Sequence, residues 1–395
     1  MEEIVELYEL QYSDLKLLLP DRKPPSYEEI ERLELISETI IQNLGPGGPG
    51  LLSINGFPKA RVLRQTLLPL ARKLALLNND DRKRILKEHN LGSDVPLKNL
   101  DRIVSSFAMQ MKYDEELNFE SKCNELAVEV NDAEFKDLGL AFRELGFCMM
   151  ELGLFLARVC DKIIGGCELE QSLLQCGTTK GRLIHYHSVT DNAIIKESAK
   201  IKRFPTLSKS GEDGELELWQ QWHYDYGVFT ILTAPMFMLS NGNDEQECES
   251  PSGHTYLKVF HPEKNRVVMV KASNESCIVQ VGESADLLSR GKLRATLHCV
   301  GRPNGVDNLS RETFVVFLQP AWNKTLSLSD YTVERLNSGS GKHDETEQES
   351  NVLARKIHEI VPPLTSRLRD GMTFAEFSRE TTRQYYGGRG LQSKR

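Results

Sequence analysis

Two periodicities divide the chain. Up to about residue 180 apolar positions recur every three or four residues, and beyond it they recur every two. Ile4 to Leu19 alternate loosely, as a strand entering a helix would. Ser26, with Glu29 in the third helical position, is a capping-box signature; the helix it opens should reach about Asn43, where Gly45-Pro46-Gly47-Gly48-Pro49-Gly50 stops it. Leu51 to Ile54 reads as a short buried strand. The next helical stretch, about Arg61 to Leu77, must kink or split at Pro69, which lacks a backbone donor. Asp80 to Glu88 is a further helix, and the polar run after it to about Lys122 carries no period. A long amphipathic helix from about Asp132 to Ile164 lines up Leu138, Phe142, Leu145, Met149, Leu152, Leu156 and Val159, and Gly165-Gly166 ends it.

From about Gly181 the apolar runs are short and bounded by turn residues. Arg182–His187, Leu216–Trp222, Gly227–Ala234, Thr255–Phe260, Arg266–Lys271, Cys277–Val281, Leu293–Val300 and Thr313–Gln319 all read as strands. Such a series predicts a sandwich or jelly roll. Asp244 to Ser252 reads as a solvated acidic loop, and 338–350 is too poor in apolar residues to be other than mobile. Helical signals return at Asn351–Ile360 and at Thr373–Thr382, the latter capped by Thr373 with Glu376.

Composition narrows the functional classes. With 395 residues, 39% hydrophobic and 27% charged, the chain is that of a soluble globular protein. A net charge of −8 argues against nucleic acid or an anionic membrane as partner. No run approaches the roughly 18 apolar residues of a membrane span, and no secretory leader is visible at Met1-Glu2-Glu3-Ile4. The eight cysteines include no C-x-x-C pair, which suits reduced thiols in the cytoplasm or nucleus. A small-molecule substrate and a monomeric chain are the expectation.

The candidate chemistry lies in Gln221-Trp222-His223-Tyr224-Asp225-Tyr226-Gly227 and the apolar run after it. Residues two apart on a strand share a face, so His223 and Asp225 can converge on one object. An imidazole and a carboxylate are two thirds of a facial 2-His-1-carboxylate Fe(II) site. Two other His-x-acid sequences are poor scaffolds: His261-Pro262-Glu263 holds a turn proline, and His343-Asp344-Glu345 lies in the acidic segment. His298, in the later apolar strand, is the candidate third ligand, although a lone histidine there is more often a core residue. Arg311 and Thr313 share a strand face, and a guanidinium beside a hydroxyl suits a dicarboxylate.

Together these pieces resemble one family. H-x-D continues as x-G-x-x-T-I-L; Gln280-Val281-Gly282-Glu283 leads through Leu287-Leu288-Ser289-Arg290-Gly291-Lys292 to Leu297-His298-Cys299-Val300; Arg311-x-Thr313 and Phe317-Leu318-Gln319-Pro320 close the series. They are similar to the plant-type branch of the 2-oxoglutarate- and Fe(II)-dependent dioxygenases, the isopenicillin N synthase-like group, best over 181–320. The resemblance implies an α+β chain. Its double-stranded β-helix (jelly-roll) core would span 181–320, behind a mainly helical region with one short strand at 1–180. A C-terminal helical extension would follow at 321–395. It further implies Fe(II) on His223, Asp225 and His298, with O2 as co-reactant. Arg311, Thr313 and Tyr186 would hold the cosubstrate 2-oxoglutarate. Phe229, Phe237 and Phe374 would wall the substrate pocket, with Met238 beside them. Ile184 and His187 depart from the family's R-x-N-x-Y-P pattern, and Thr313 stands where serine is commoner. The implied reaction is hydroxylation, demethylation or desaturation of a small organic molecule. An iron oxidase without 2-oxoglutarate, or a silent metal-stabilised interaction protein, are the alternatives.

Overall fold

A computed structural model describes residues 3–18, 26–93, 97, 99–100, 102–113, 133–198, 218–241, 244–328, 357 and 359–387. The acidic segment 338–350 and most of the expected helix 351–360 lie outside the described residues.

Fifteen strands are described: β1 (Glu3–Glu6), β2 (Glu9–Gln11), β3 (Leu51–Asn55), β4 (Gly92–Ser93), β5 (Val104–Lys112), β6 (Thr178–Tyr186), β7 (Leu218–His223), β8 (Phe229–Thr233), β9 (Met236–Asn241), β10 (Asp244–Cys248), β11 (Leu257–His261), β12 (Arg266–Lys271), β13 (Cys277–Val281), β14 (His298–Gly301) and β15 (Leu309–Leu318). They form two sheets. The smaller runs β1-β12-β11-β14-β7; the larger runs β2-β3-β13-β8-β15-β6-β5-β4, with β9 joined to β15 and β10 to β9. An apolar cluster takes Trp219, Leu257, Val259 and Val300 from the first sheet and Ile184, Tyr186, Leu232, Ile278 and Val315 from the second. Alternate residues of β15, among them Phe314, Val316 and Leu318, belong instead to a larger cluster with Phe142, Leu145, Met149 and Leu152 of the helix Leu138–Ile164. The period-two pattern thus sends alternate residues of β15 to opposite cores. Gly153 lets that helix lie close on the sheet: a Cβ there would come within 2.0 Å of Leu318 Cδ1.

Several expectations hold in detail. The helix Tyr27–Leu44 carries the full capping box at Ser26 and Glu29. Pro69 splits the following stretch into helices Ala60–Leu67 and Pro69–Leu76. Gly165, at φ 75°, ends the long helix in a left-handed conformation that glycine adopts without strain.

Other segments differ. The stretch expected to be irregular contains β5, which pairs with β6 over nine residues. Its first six residues are all buried, so it shows no alternation to read. The supposed acidic loop after Ser240 holds β10, paired antiparallel with β9. Helices Glu168–Cys176, Val189–Ser198 and Glu283–Leu288 were not apparent in the pattern. Among the described residues, 1–180 hold β1 to β5 and the start of β6 rather than one short strand, and β1 and β2 add to the sheets in parallel. Among the described residues no helix is long and apolar enough to cross a membrane.

Candidate metal centre

β7 ends at His223 and β14 begins at His298, and the two residues oppose each other across the ladder. Their ring centroids lie 4.2 Å apart. Asp225, just beyond β7, turns back toward both: Oδ1 is 3.7 Å from His223 Nε2 and Oδ2 is 3.9 Å from His298 Nε2. One ligand atom from each residue falls within 4.8 Å of the others. His223 Nδ1 is 2.7 Å from the Gln221 carbonyl oxygen and His298 Nδ1 is 3.0 Å from that of Thr296. A carbonyl only accepts, so each Nδ1 carries the hydrogen and each Nε2 presents its lone pair. Burial, and then the neighbouring His298, push His223 down to about 4 and keep it neutral. Thr230 donates to Asp225 Oδ2 at 2.6 Å.

The loop that carries Asp225 is held from two sides. The Glu283 amide donates to the Asp225 carbonyl at 2.8 Å, and the Gly282 amide to that of Val228 at 2.9 Å. Gly282 must lack a side chain, since a Cβ would stand 2.2 Å from the Gly227 carbonyl oxygen. From the C-terminal side, the Tyr385 hydroxyl accepts the Tyr224 amide, midway between two of the three residues, at 3.2 Å. Arg367 grips the buried Glu283 carboxylate through two hydrogen bonds, at 2.7 and 2.5 Å.

Tyr186 and Arg311 stand opposite each other on β6 and β15. Arg311 is 1% exposed, its Nε donates to the Thr255 carbonyl at 3.1 Å, and its Nη2 has no partner among the described residues. Burial pushes its pKa down, more than Tyr186 and Glu312 push it back up. The Tyr186 ring lies beside the guanidinium, 5.1 Å from centroid to Cζ. The Tyr186 hydroxyl donates to Gln220 Oε1 at 2.8 Å, and Gln220 Nε2 lies 3.0 Å from His223 Nε2. A β-bulge between His223 and Gln220 allows this, since two steps along β14 there span three along β7. Gln220 therefore reaches from the arginine side of the site to the imidazole side, its amide donating into the His223 Nε2 lone pair, a contact that must part when that lone pair takes a metal. The sequence reading missed it; its signal was a polar pair, Gln220-Gln221, between two tryptophans of a strand. The Thr313 hydroxyl donates to the Thr233 carbonyl at 3.2 Å, where β15 changes partner from β9 to β8.

The three phenylalanines separate. Phe237 opposes Arg311 across β9 and β15 and packs with Tyr256 and Leu309. Phe229 lies in the core under the long helix, and Phe374 packs with Phe377, Leu326 and Leu368 at the C-terminus. Both are core residues because their strand and helix faces point to those layers. A cavity of about 700 Å³ opens elsewhere, lined by residues such as Ile30, Leu33, Val159 and Ile163 of two helices.

A second set of potential ligands, His185, His187 and Asp191, is also present among the described residues. Its chemistry is different. Arg72 already holds Asp191, through Nε at 2.9 Å and Nη2 at 2.7 Å, and both His185 nitrogens face carboxylates. Asp225, by contrast, faces two imidazoles and no arginine or lysine among the described residues. Two imidazoles and a carboxylate converging from one side are the donor set that suits non-haem Fe(II).

The fold is that of the 2-oxoglutarate- and Fe(II)-dependent oxygenases. A rice dioxygenase for auxin oxidation superposes with TM-score 0.53 and 16% identity, over 98% of this chain and 100% of that one. A Caulobacter crescentus protein described as a 2OG-Fe(II) oxygenase family member gives 0.54 and 14%, over 97% and 100%. A full-length Neurospora crassa protein solved in complex with alpha-KG gives 0.51 and 15%, over 88% and 95%. No protein-family profile and no curated protein matches the sequence. At these identities the likeness establishes the fold, and the chemistry must be argued from the site.

Proposed function

We propose that the chain is a 2-oxoglutarate- and Fe(II)-dependent oxygenase of the plant-type branch, built on a double-stranded β-helix. It would hydroxylate, demethylate or desaturate a small organic substrate. His223 Nε2, His298 Nε2 and a carboxylate oxygen of Asp225 would hold the iron. Arg311 would pair with the distal carboxylate of 2-oxoglutarate, and its unpartnered Nη2 fits that role. Tyr186 would pack beside that carboxylate. Thr313 could accept a hydrogen bond there but not donate one while its hydrogen is held by Thr233.

With both groups and O2 bound, the site supplies an oxidant that removes hydrogen from a C–H bond, as 2-oxoglutarate becomes succinate and CO2. The chain's own task is placement. Backbone carbonyls fix both imidazoles as Nε2 donors, the Gly282 and Glu283 amides fix the Asp225 loop, and Trp219, Val259 and Val300 in the cluster between the sheets keep water away. The observation that carries the reading is the convergence of His223, Asp225 and His298, with the buried Arg311 linked toward it through Tyr186 and Gln220. Anaerobic titration of the Fe(II)-loaded protein with 2-oxoglutarate tests it. A visible charge-transfer band that saturates at one equivalent is expected. Iron binding without the band would point to an oxidase that dispenses with the cosubstrate, and absence of iron binding would defeat the proposal.

A further inference from the structure

The reverse face of the Tyr186–Arg311 pair carries a buried chain of alternating charge. His185 and Glu312 oppose each other one rung along, with both Glu312 carboxylate oxygens within 3.0 Å of His185 Nδ1. Ser310 adds a hydrogen bond to Glu312 at 2.7 Å. On its other side His185 Nε2 lies 3.4 Å from Asp191 Oδ2, on the helix Val189–Ser198. Asp191 is held in turn by Arg72 of the helix Pro69–Leu76, whose Nη1 reaches Glu245 of β10. The order is Glu245, Arg72, Asp191, His185, Glu312, alternating in sign. The last three side chains are fully buried and Arg72 is 4% exposed.

The place of this chain is informative. Arg311–Tyr186 is the terminal rung of the β6–β15 ladder, and Glu312–His185 is the rung next to it. Tyr186 and Arg311 are flanked in turn by Val104 of β5 and Phe237 of β9, so this ladder end lies inside the sheet and its register must hold across four strands. Buried ion pairs are poor devices for stability alone, since apolar replacements often serve as well, and their best-attested use is to fix registry. Here the pair ties the end of the ladder to two helices.

We infer that the His185–Glu312 pair, anchored through Asp191 to Arg72, is a positioning device that holds Tyr186 and Arg311 in register to receive 2-oxoglutarate. The inference rests on the function proposed above. Burial disfavours a charge on His185, but Glu312 and Asp191 outweigh it and push its pKa up to about 9. Of the other groups facing the pair, His187 is kept neutral by burial and by His185, and its Nε2 is 2.9 Å from Ser105 Oγ. Arg102 donates to that same hydroxyl, and Arg302 is the remaining cation near His187.

The test uses Glu312→Gln, which keeps shape and removes charge. In hydrogen exchange of the metal-free protein, segments 182–187 and 309–313 should exchange faster than in wild type while 314–318 is unchanged. In the anaerobic titration, the 2-oxoglutarate dissociation constant should rise about tenfold, less than outright loss of the Arg311 hydrogen bond would cause, with iron affinity unchanged. If Glu312→Gln does not fold, the double variant His185→Leu/Glu312→Leu replaces the pair with apolar residues and should show the same two effects. Wild-type exchange and wild-type cosubstrate affinity in a folded variant would overturn the inference. So would parallel loss of iron and cosubstrate, which marks general loosening. A second tightly held metal in the wild-type protein, lost in His187→Ala, would also overturn it by making His185 a ligand. If the wild-type protein gives no band, the proposed function fails, while the exchange comparison still decides whether the pair fixes the register.

Discussion

On the proposed function two residues of the candidate site would do separable jobs, and substitution should separate them. His298, 5% exposed at the start of the short strand β14, offers a lone pair held in place by the Thr296 carbonyl. His298→Ala should therefore abolish iron retention with little change in melting temperature. Arg311 touches no metal-facing residue directly; its link to His223 runs through Tyr186 and Gln220. Arg311→Gln should leave iron affinity intact and weaken 2-oxoglutarate binding by about 2 kcal/mol, roughly thirtyfold, since a charged hydrogen bond is lost. Metal analysis and the charge-transfer titration check the two arms. Iron retained by His298→Ala would remove the third ligand, and full cosubstrate affinity in Arg311→Gln would move the carboxylate elsewhere.

At the scale of elements, the Asp225 loop depends on a backbone contact. Gly282, at the start of the helix Glu283–Leu288, stands where a Cβ would meet the Gly227 carbonyl oxygen at 2.2 Å and that of Asp225 at 3.1 Å. Neither backbone atom can rotate away, so Gly282→Ala should displace the Asp225 loop. The expected cost is about 1–3 kcal/mol of stability, typical of overpacking, together with weakened iron binding. Gly166→Ala, where the nearest atoms lie at 3.7 and 3.8 Å, is the matched control and should change neither. Urea unfolding and iron titration of both variants read this, and a Gly282→Ala protein that behaves like the control would dismiss the contact.

The same scale explains what could be read in the sequence. The convergence of His223, Asp225 and His298 was legible because His223 and Asp225 share one strand end and His298 opens another apolar strand. The helices with strong caps or breakers were legible for the same reason, as at Ser26 and Pro69. β5 was not, because a strand buried on both faces has no alternation to betray it. Gln220 was not, because its role comes from a bulge that only pairing creates. Glu312 and His185 stand at the unspecified positions of Arg311-x-Thr313 and R-x-N-x-Y-P, and their meaning needs Asp191 and Arg72, brought from two distant helices.

The whole molecule should register that distant assembly in its pH dependence. The chain of charge joins β6, β10, β15 and two helices, so its protonation state is a property of the folded protein. His185 has a folded pKa of about 9, above its unfolded value of about 6.5, so the native state binds the extra proton more tightly. A raised pKa contributes stability that is fully present below about pH 6.5 and is lost as pH rises through about 9. The shift corresponds to about 3 kcal/mol, with no discount for exposure because the group is fully buried. Asp191 is held far below the usual carboxylate range despite its burial, chiefly by His185 and Arg72, so it stays ionised throughout this window and adds no slope of its own. Urea unfolding between pH 6 and about 9.5 should therefore show wild-type stability falling on the alkaline side. His185→Gln should start lower and lack that fall. Parallel curves for the two proteins would mean that the proton is not on His185 but on Glu312, whose own pKa burial pushes up while His185 and Ser310 pull it down.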